Sequence, residues 1–341
     1  MKKLKALEIC AGGGGQALGL ELAGYSHAAV IEIDKAACAT LRLNRPKWNV
    51  IEGDLCSFDG QPYKGIDLLA GGVPCPPFSI AGKQLGADDE RDLFPEALRL
   101  VWETQPRAVM LENVRGLASP KFHDYRVRII SMLNAMGYRA DWRLLNASDF
   151  GVPQLRPRFI LVALRADLAC QFEWPQPSSS TPSVGEVLRD GMAASGWTGA
   201  DAWADAARGI APTVVGGSKK HGGPDLGPTR ARKAWAQFRV DGLGIANFPP
   251  GPDFPEDGSP KLTVDMVSKI QGFPDSWKFF GSKTAAYRQV GNAFPPPVAR
   301  AVGKAIANAL NGKTKLADPE RGLTGLPLLE LIERNVEKAA I

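Results

Sequence analysis

The 341-residue chain carries 41 Lys plus Arg against 36 Asp plus Glu, a net charge of +5, and is 44% hydrophobic, the make-up of a globular protein. It is too long for one ordinary core and predicts two lobes. Its five dispersed cysteines (Cys10, Cys38, Cys56, Cys75, Cys170) form no Cys-x-x-Cys pair, which argues against a disulfide scaffold, a redox dithiol or a metal site. The basic N-terminus lacks an apolar leader and no apolar run approaches ~18 residues, so a cytoplasmic protein with reduced thiols and no membrane contact is expected.

Short apolar runs at 6–10, 28–33, 50–53, 66–70, 109–111 and 159–163 alternate with helix-period segments. Leu18, Leu22 and Tyr25 share one predicted helical face. Phe94, Ala97, Leu98 and Val101 share a second, and Ile129, Met132, Leu133 and Met136 a third. This is the pattern of a doubly wound α/β fold with a mostly parallel sheet.

Ala11-Gly12-Gly13-Gly14-Gly15 follows the first strand and opens a helix, so bare backbone can approach a ligand there. Glu32 ends the second strand and Asp54 follows the third, on the sheet edge where ligands of such folds bind. Glu32 suits ribose hydroxyls and Asp54 an adenine amino group. Gly12, Gly14 and Ala17 also satisfy the loose dinucleotide fingerprint, so a nicotinamide dinucleotide and a nucleoside methyl donor both remain open at this stretch.

After the strand at 66–70 comes Gly71-Gly72-Val73-Pro74-Cys75-Pro76-Pro77-Phe78-Ser79, a loop stiffened by proline that presents a thiol. Glu112, in Glu112-Asn113-Val114, ends a later strand on the same edge. Arg156 and Arg158, in Gln154-Leu155-Arg156-Pro157-Arg158, project one way if that segment is extended. A nucleophilic Cys75 needs a positive neighbour to titrate below its ordinary ~8.5. Taken singly, the thiol could be a buried hydrophobe, Glu112 a cap and each arginine a surface ion pair. On successive strand ends they are hard to explain jointly as packing.

The period breaks near Leu164, and the proline- and serine-rich stretch at 171–186 marks a boundary. From 209 to 258 the glycine and proline content predicts loops and short strands rather than long helices. Arg208, Lys219, Lys220, Arg230, Arg232, Lys233 and Arg239 face one acid, Asp225, within 208–239, a basic stretch suited to a phosphate backbone. Val298, Val302, Ile306 and Leu310 form a last stripe, and 328–340 could make one further amphipathic helix.

These residues resemble the bacterial cytosine-5 DNA methyltransferases that use S-adenosylmethionine. The glycine loop, Pro74-Cys75, Asp88-Asp89-Glu90-Arg91-Asp92-Leu93-Phe94, Glu112-Asn113-Val114, 154–158, Gln271-Gly272-Phe273-Pro274 and Gln289-Val290-Gly291-Asn292-Ala293 stand in that family's order along nearly the whole chain. The resemblance implies a Rossmann-like catalytic domain at 1–165, a smaller target-recognition domain at 166–270, a return to the catalytic domain at 271–312, and a tail at 313–341.

It further implies methyl transfer to carbon 5 of a cytosine flipped out of double-stranded DNA at a short specific sequence, leaving S-adenosylhomocysteine. Cys75 would add to carbon 6, Glu112 would engage ring nitrogen 3, and Arg158 with Arg156 would steady the ring. Cys10, Gly12, Gly13, Gly15, Glu32, Ile33, Asp54, Leu55, Leu93, Asn292 and Phe294 would line the cofactor site. Ser79, Lys219, Lys220, Arg230, Arg232 and Lys233 would touch DNA. A monomer without metal is expected, nucleoid-associated through DNA, with room for a restriction endonuclease acting separately.

Four positions depart from the family pattern: Cys10 where an aromatic residue is common, Pro76 where glutamine is usual, and Met266 with Lys269 where an acid and an arginine are expected. A nicotinamide oxidoreductase would leave Cys75, Glu112 and the arginines without a joint role. A DNA-binding module without catalysis is opposed by the intact Cys75 and Glu112, and a tRNA-methylating relative by the absence of a Cys-Phe-Thr tripeptide.

Overall fold

A computed structural model describes residues 3–74, 92–217 and 223–312. Seven strands, β1 (Lys5–Ile9), β2 (Ser26–Glu32), β3 (Val50–Glu52), β4 (Leu68–Gly72), β5 (Ala108–Val114), β6 (Tyr138–Asn146) and β7 (Pro157–Arg165), form one sheet in the order β3-β2-β1-β4-β5-β7-β6. The first five positions are parallel, and β7 runs antiparallel between β5 and β6. The doubly wound, mostly parallel fold is therefore present.

Strand periodicity sorts the core onto two faces. Leu7, Ile9, Leu69, Leu111 and Leu161 point to the face covered by α3 (Phe94–Thr104) and α4 (His123–Ala135). Ala6, Leu68, Ala70, Met110 and Val162 point to the face covered by α1 (Gly15–Leu22) and α11 (Pro296–Leu310). Val298, Val302 and Ile306 of α11 are fully buried there or nearly so, each contributing roughly 1.5–3 kcal/mol of transfer free energy. Helix α2 (Lys35–Asn44) starts after Asp34, whose carboxylate accepts from the amides of Ala36 and Ala37 at 3.0 and 3.1 Å.

The helical stripes need correction at their margins. Leu22 is 53% and Met132 41% exposed, because each sits at the rim of its stripe and turns to solvent. The sequence reading also missed β6, although Tyr138, Ala140 and Trp142 alternate with Arg139, Asp141 and Arg143. Trp142 stacks on Phe159 at 4.8 Å, while Asp141 accepts from the Trp174 indole at 2.9 Å, so both faces of this edge strand are covered.

The segment after β7 first stays with the sheet: α5 (Ala166–Ala169), Phe172 and Trp174 pack into the α1/α11 side. A separate hydrophobic cluster begins at Val184 and joins α6 (Val184–Ala193), α7 (Ala200–Ala206), α8 (Thr229–Ala236), α9 (Val264–Ile270) and α10 (Lys283–Asn292). Loops and short strands were expected at 209–258; among the described residues that span is mostly loop with one helix, α8, and the other regular elements of the cluster are helices too. The sole strand-like pairings are the bridges Gln154 to Ala211 and Ala246 to Thr263. Alanine-rich α7 and α8 consist largely of good helix formers and each buries a tryptophan, Trp203 and Trp235. A Ser183/Glu186 capping box starts α6.

Candidate active site

The glycine loop is held from behind by the C-terminal return. Trp277 donates its indole N–H to the Gly13 carbonyl at 3.1 Å. A Cβ at Gly13 would meet Phe279 at 2.9 Å, one at Gly14 would meet Leu41 and Trp277 at 2.7 Å, and one at Gly15 would meet the Phe294 carbonyl oxygen at 2.1 Å. Gly12 differs: at φ +55° it has nothing within 4 Å of the Cβ position. Three glycines thus answer to packing, while the fourth leaves open backbone.

That open backbone borders a cavity of about 170 Å³ lined by Cys10, Gly12, Gly13, Gln16, Glu32, Asp34, Gly72, Glu112, Arg288, Gln289, Asn292 and Phe294, among others. Glu32 Oε2 accepts from the Gly12 amide at 2.6 Å, and Oε1 accepts from Ile33 and Asp34 at 2.9 and 2.7 Å. Burial raises the Glu32 pKa and these three amides oppose the rise, orienting the carboxylate for further donors. The Cys10 thiol is pushed far up by burial and by nearby Glu32 and Glu8, so it presents a neutral sulfur.

At the other end of the cavity, Glu112 Oε1 lies 2.6 Å from Arg158 Nε, with 12% and 10% of the two side chains accessible. The contact lacks hydrogen-bond alignment, because Arg158 Nε is a buried donor without an aligned acceptor. Burial raises the Glu112 pKa, and Arg158 followed by Arg156 pulls it back. Glu112 Oε2 would sit 3.3 Å from a Cβ at Gly72, so a side chain there would press the carboxyl aside by a few tenths of an ångström. The neighbouring Asn113 donates to the Val73 carbonyl at 2.9 Å and accepts from the Val114 amide at 2.8 Å, tying the end of β5 to the exit of β4. Leu93 donates to the Pro74 carbonyl at 3.4 Å, so the stretches flanking 75–91 meet.

Arg156 and Arg158 do not share a target, contrary to the expected common projection. Arg156 donates to the carbonyls of Val214, Gly291 and Ala293 at 2.6, 2.7 and 3.0 Å. Gln154 donates to Gln271 Oε1 at 2.8 Å and accepts from the Val214 amide at 2.8 Å, while Gln271 donates to Val290 at 2.7 Å. The 154–158 motif is thereby split between a buried junction and the cavity.

The sequence pattern of the C-5 cytosine-specific DNA methylases matches residues 4–308. The chain belongs to that family. This methylase is 59% identical over 315 residues to the type II methyltransferase M.NaeI of Lentzea aerocolonigenes, covering 91% of this chain and 76% of that protein. It is 57% identical over 313 residues to M.NgoMIV of Neisseria gonorrhoeae, covering 89% and 97%. The crystal structure of Spodoptera frugiperda DNMT2 shares the fold at a TM-score of 0.62 and 18% identity, over 89% of this chain and 99% of that one.

Of the residues expected at the methylase's cofactor site, Cys10, Gly12, Gly13, Glu32, Asn292 and Phe294 line the cavity together with Glu112. Gly15 does not, since Phe294 occupies its open side. Asp54 caps the following turn through the Cys56 amide at 3.0 Å and faces an adjoining recess with Ile31 and Ile51. Leu55 is buried in the core, Leu93 packs against it, and Ile33 is 65% exposed. Gln16, Asp34, Arg288 and Gln289 line the cavity without having been singled out. Of these, Gln289 stood in a quoted motif, whereas nothing local marks Gln16 or Asp34.

Cys75, Ser79, Lys219, Lys220 and the tail at 313–341 lie outside the described residues. Of the basic set, Arg230 and Lys233 are exposed and Arg232 half-buried on α8. Arg208 pairs with Asp205 at 2.9 Å, and Arg239 donates to the carbonyls of Glu256 and Gly258 at 3.5 and 3.4 Å, so both serve internal contacts. At the departures from family pattern, Met266 is buried in the helical cluster and Lys269 pairs with Asp275 at 3.0 Å.

Proposed function

We propose that this methylase modifies carbon 5 of a cytosine flipped from double-stranded DNA at a short specific sequence, through a covalent adduct with Cys75, as a type II modification enzyme. The observation that carries the reading is the single cavity bounded by Gly12 and Glu32 at one end and Glu112 at the other. The type II naming of M.NaeI and M.NgoMIV supports the modification role.

The residues fit S-adenosylmethionine: bare backbone at Gly12, an oriented Glu32 carboxylate for hydroxyl donors, and Asn292 opposite the glycine loop. When bound, it supplies an electrophilic methyl on sulfur. Cys75, which follows β4 in sequence, would add its thiolate to carbon 6 of the base; once carbon 5 carries the methyl, loss of its proton to a base expels the thiolate and restores the ring. Glu112, whose burial favours the protonated form, places a proton at ring nitrogen 3. Arg158, 2.6 Å from Glu112, orients that carboxyl and limits its pKa rise. Arg156 acts as a positioning residue at the junction. Ring nitrogen 3 is paired within a duplex, so the base must leave the stack at a cost of a few kcal/mol.

Residues 166–270 then carry target recognition, 271–312 close the cofactor side, and the enzyme acts as a monomer in the cytoplasm, with a separate endonuclease as its natural counterpart. Bisulfite sequencing of plasmid DNA from cells expressing the protein tests the proposal. Protected cytosines should cluster in one short sequence and vanish with Cys75→Ser. Uniform conversion with the wild-type protein, or protection surviving Cys75→Ser, would refute it.

A further inference from the structure

Among the described residues lining the cavity, Glu32, Asp34 and Glu112 are acids and Arg288 on α10 is the cation. Its guanidinium meets Asp34 Oδ2 at 3.6 Å, long for an ion pair, with 22% of the Arg288 side chain accessible. Asp34 is meanwhile committed through Oδ1 to the first amides of α2. Gln289, the next residue, is by contrast fully engaged: it donates to the Phe280 carbonyl at 2.9 Å and accepts from Thr40 at 2.6 Å. Arg288 donates no side-chain hydrogen bond among the described residues, although a guanidinium offers five N–H groups. A partly dehydrated arginine with unused donors lining this cavity is arranged for an anionic ligand group.

We infer that Arg288 binds the carboxylate of the amino-acid tail of the methyl donor, a specificity role resting on the cofactor reading above. Glu32 is suited to neutral hydroxyl donors and Arg158 is already engaged by Glu112, which leaves Arg288 to meet a free carboxylate. The competing donors are the backbone amides at the start of α1, which could hold the same group without the arginine.

The test compares S-adenosylmethionine with its decarboxylated analogue by calorimetric titration of the wild-type protein and of Arg288→Gln. The wild-type protein should bind the intact compound about tenfold to hundredfold more tightly, the worth of a charge-assisted hydrogen bond. In Arg288→Gln that gap should collapse, with Arg288→Lys retaining part of it. Equal affinity of the wild-type protein for both compounds overturns the inference even if the variant fails to fold. A gap that persists undiminished in folded Arg288→Gln assigns the carboxylate to the α1 amides and also overturns it. Binding of neither compound by the wild-type protein rejects the cofactor reading itself.

Discussion

Asn113 Nδ2 donates to the Val73 carbonyl at 2.9 Å, so the residue after Glu112 fastens the backbone that leads directly into Pro74 and Cys75. The acid on β5 and the loop leaving β4 are in this way held by one side chain. Asn113→Ala removes that tie, leaving the buried Val73 carbonyl without this donor and the Val114 amide without this acceptor. Loss of about 10²-fold in kcat is expected from misplaced reactants. Affinity for S-adenosylhomocysteine should hold within roughly twofold. Single-turnover kinetics beside equilibrium titration would separate the two effects.

Glu112 and Arg158 predict a pH dependence. Burial raises the Glu112 pKa and Arg158 opposes it, so the proton needed at ring nitrogen 3 is lost as pH rises through that pKa. Arg158→Met removes the opposing charge, and the alkaline limb of kcat/KM should move to higher pH while the rate falls. A limb that moves to lower pH contradicts the assignment. Glu112→Gln should cost about 10²–10⁴-fold and abolish the limb.

Gly12 and Gly15 should fail in different ways. Alanine at Gly15 drives a Cβ to 2.1 Å from the Phe294 carbonyl, so a loss of roughly 1–3 kcal/mol in stability is expected. Alanine at Gly12 meets no atom but must adopt φ +55° and would stand where the ligand approaches. Thermal melting should report mainly the first, and cofactor titration mainly the second.

Glu8 lies fully buried on β1 with neither carboxylate oxygen hydrogen-bonded, and burial raises its pKa well above normal. The unfolded carboxyl titrates near ~4.3. Between that pH and the raised native value, the folded protein holds the extra proton, so stability falls as pH rises, by up to about 1.4 kcal/mol per pH unit. Glu8→Gln escapes this loss. Its advantage in urea denaturation should be absent near pH 4 and grow toward neutral pH; an advantage that grows toward acid would contradict the sign.

Arg230 and Lys233 stand exposed on α8 without an ion-pair partner among the described residues. If each neutralises one phosphate, each alanine substitution should flatten the slope of log affinity against log salt by about 1. Fluorescence anisotropy with duplex DNA at several salt concentrations reads this directly, and unchanged slopes would place the DNA face elsewhere.

Much of this protein was legible in one dimension because its signals are local. Strand-helix alternation, the glycine run after β1, Glu32 at the end of β2 and Glu112 at the end of β5 all follow from period and position, which a chain carries without folding. β6 was legible too, since its alternation is plain, but its charged residues disguised it. Tertiary structure alone decided how the glycines divide, because Trp277, Phe279 and Phe294 reach the loop from more than 260 residues away. It separated Arg156 from Arg158, since their targets lie on segments distant in sequence. It brought Arg288 to the cavity, for a helix exposes one side to the ligand only after its neighbours have packed against the other sides. Within 209–258, where loops and short strands were expected, the described chain is mostly loop with one helix, α8, whose Trp235 gains burial only in the folded cluster. Local patterns specify which backbone forms. Which side chains share a site depends on contacts between remote segments, and these acquire a free energy only once the chain has closed on itself.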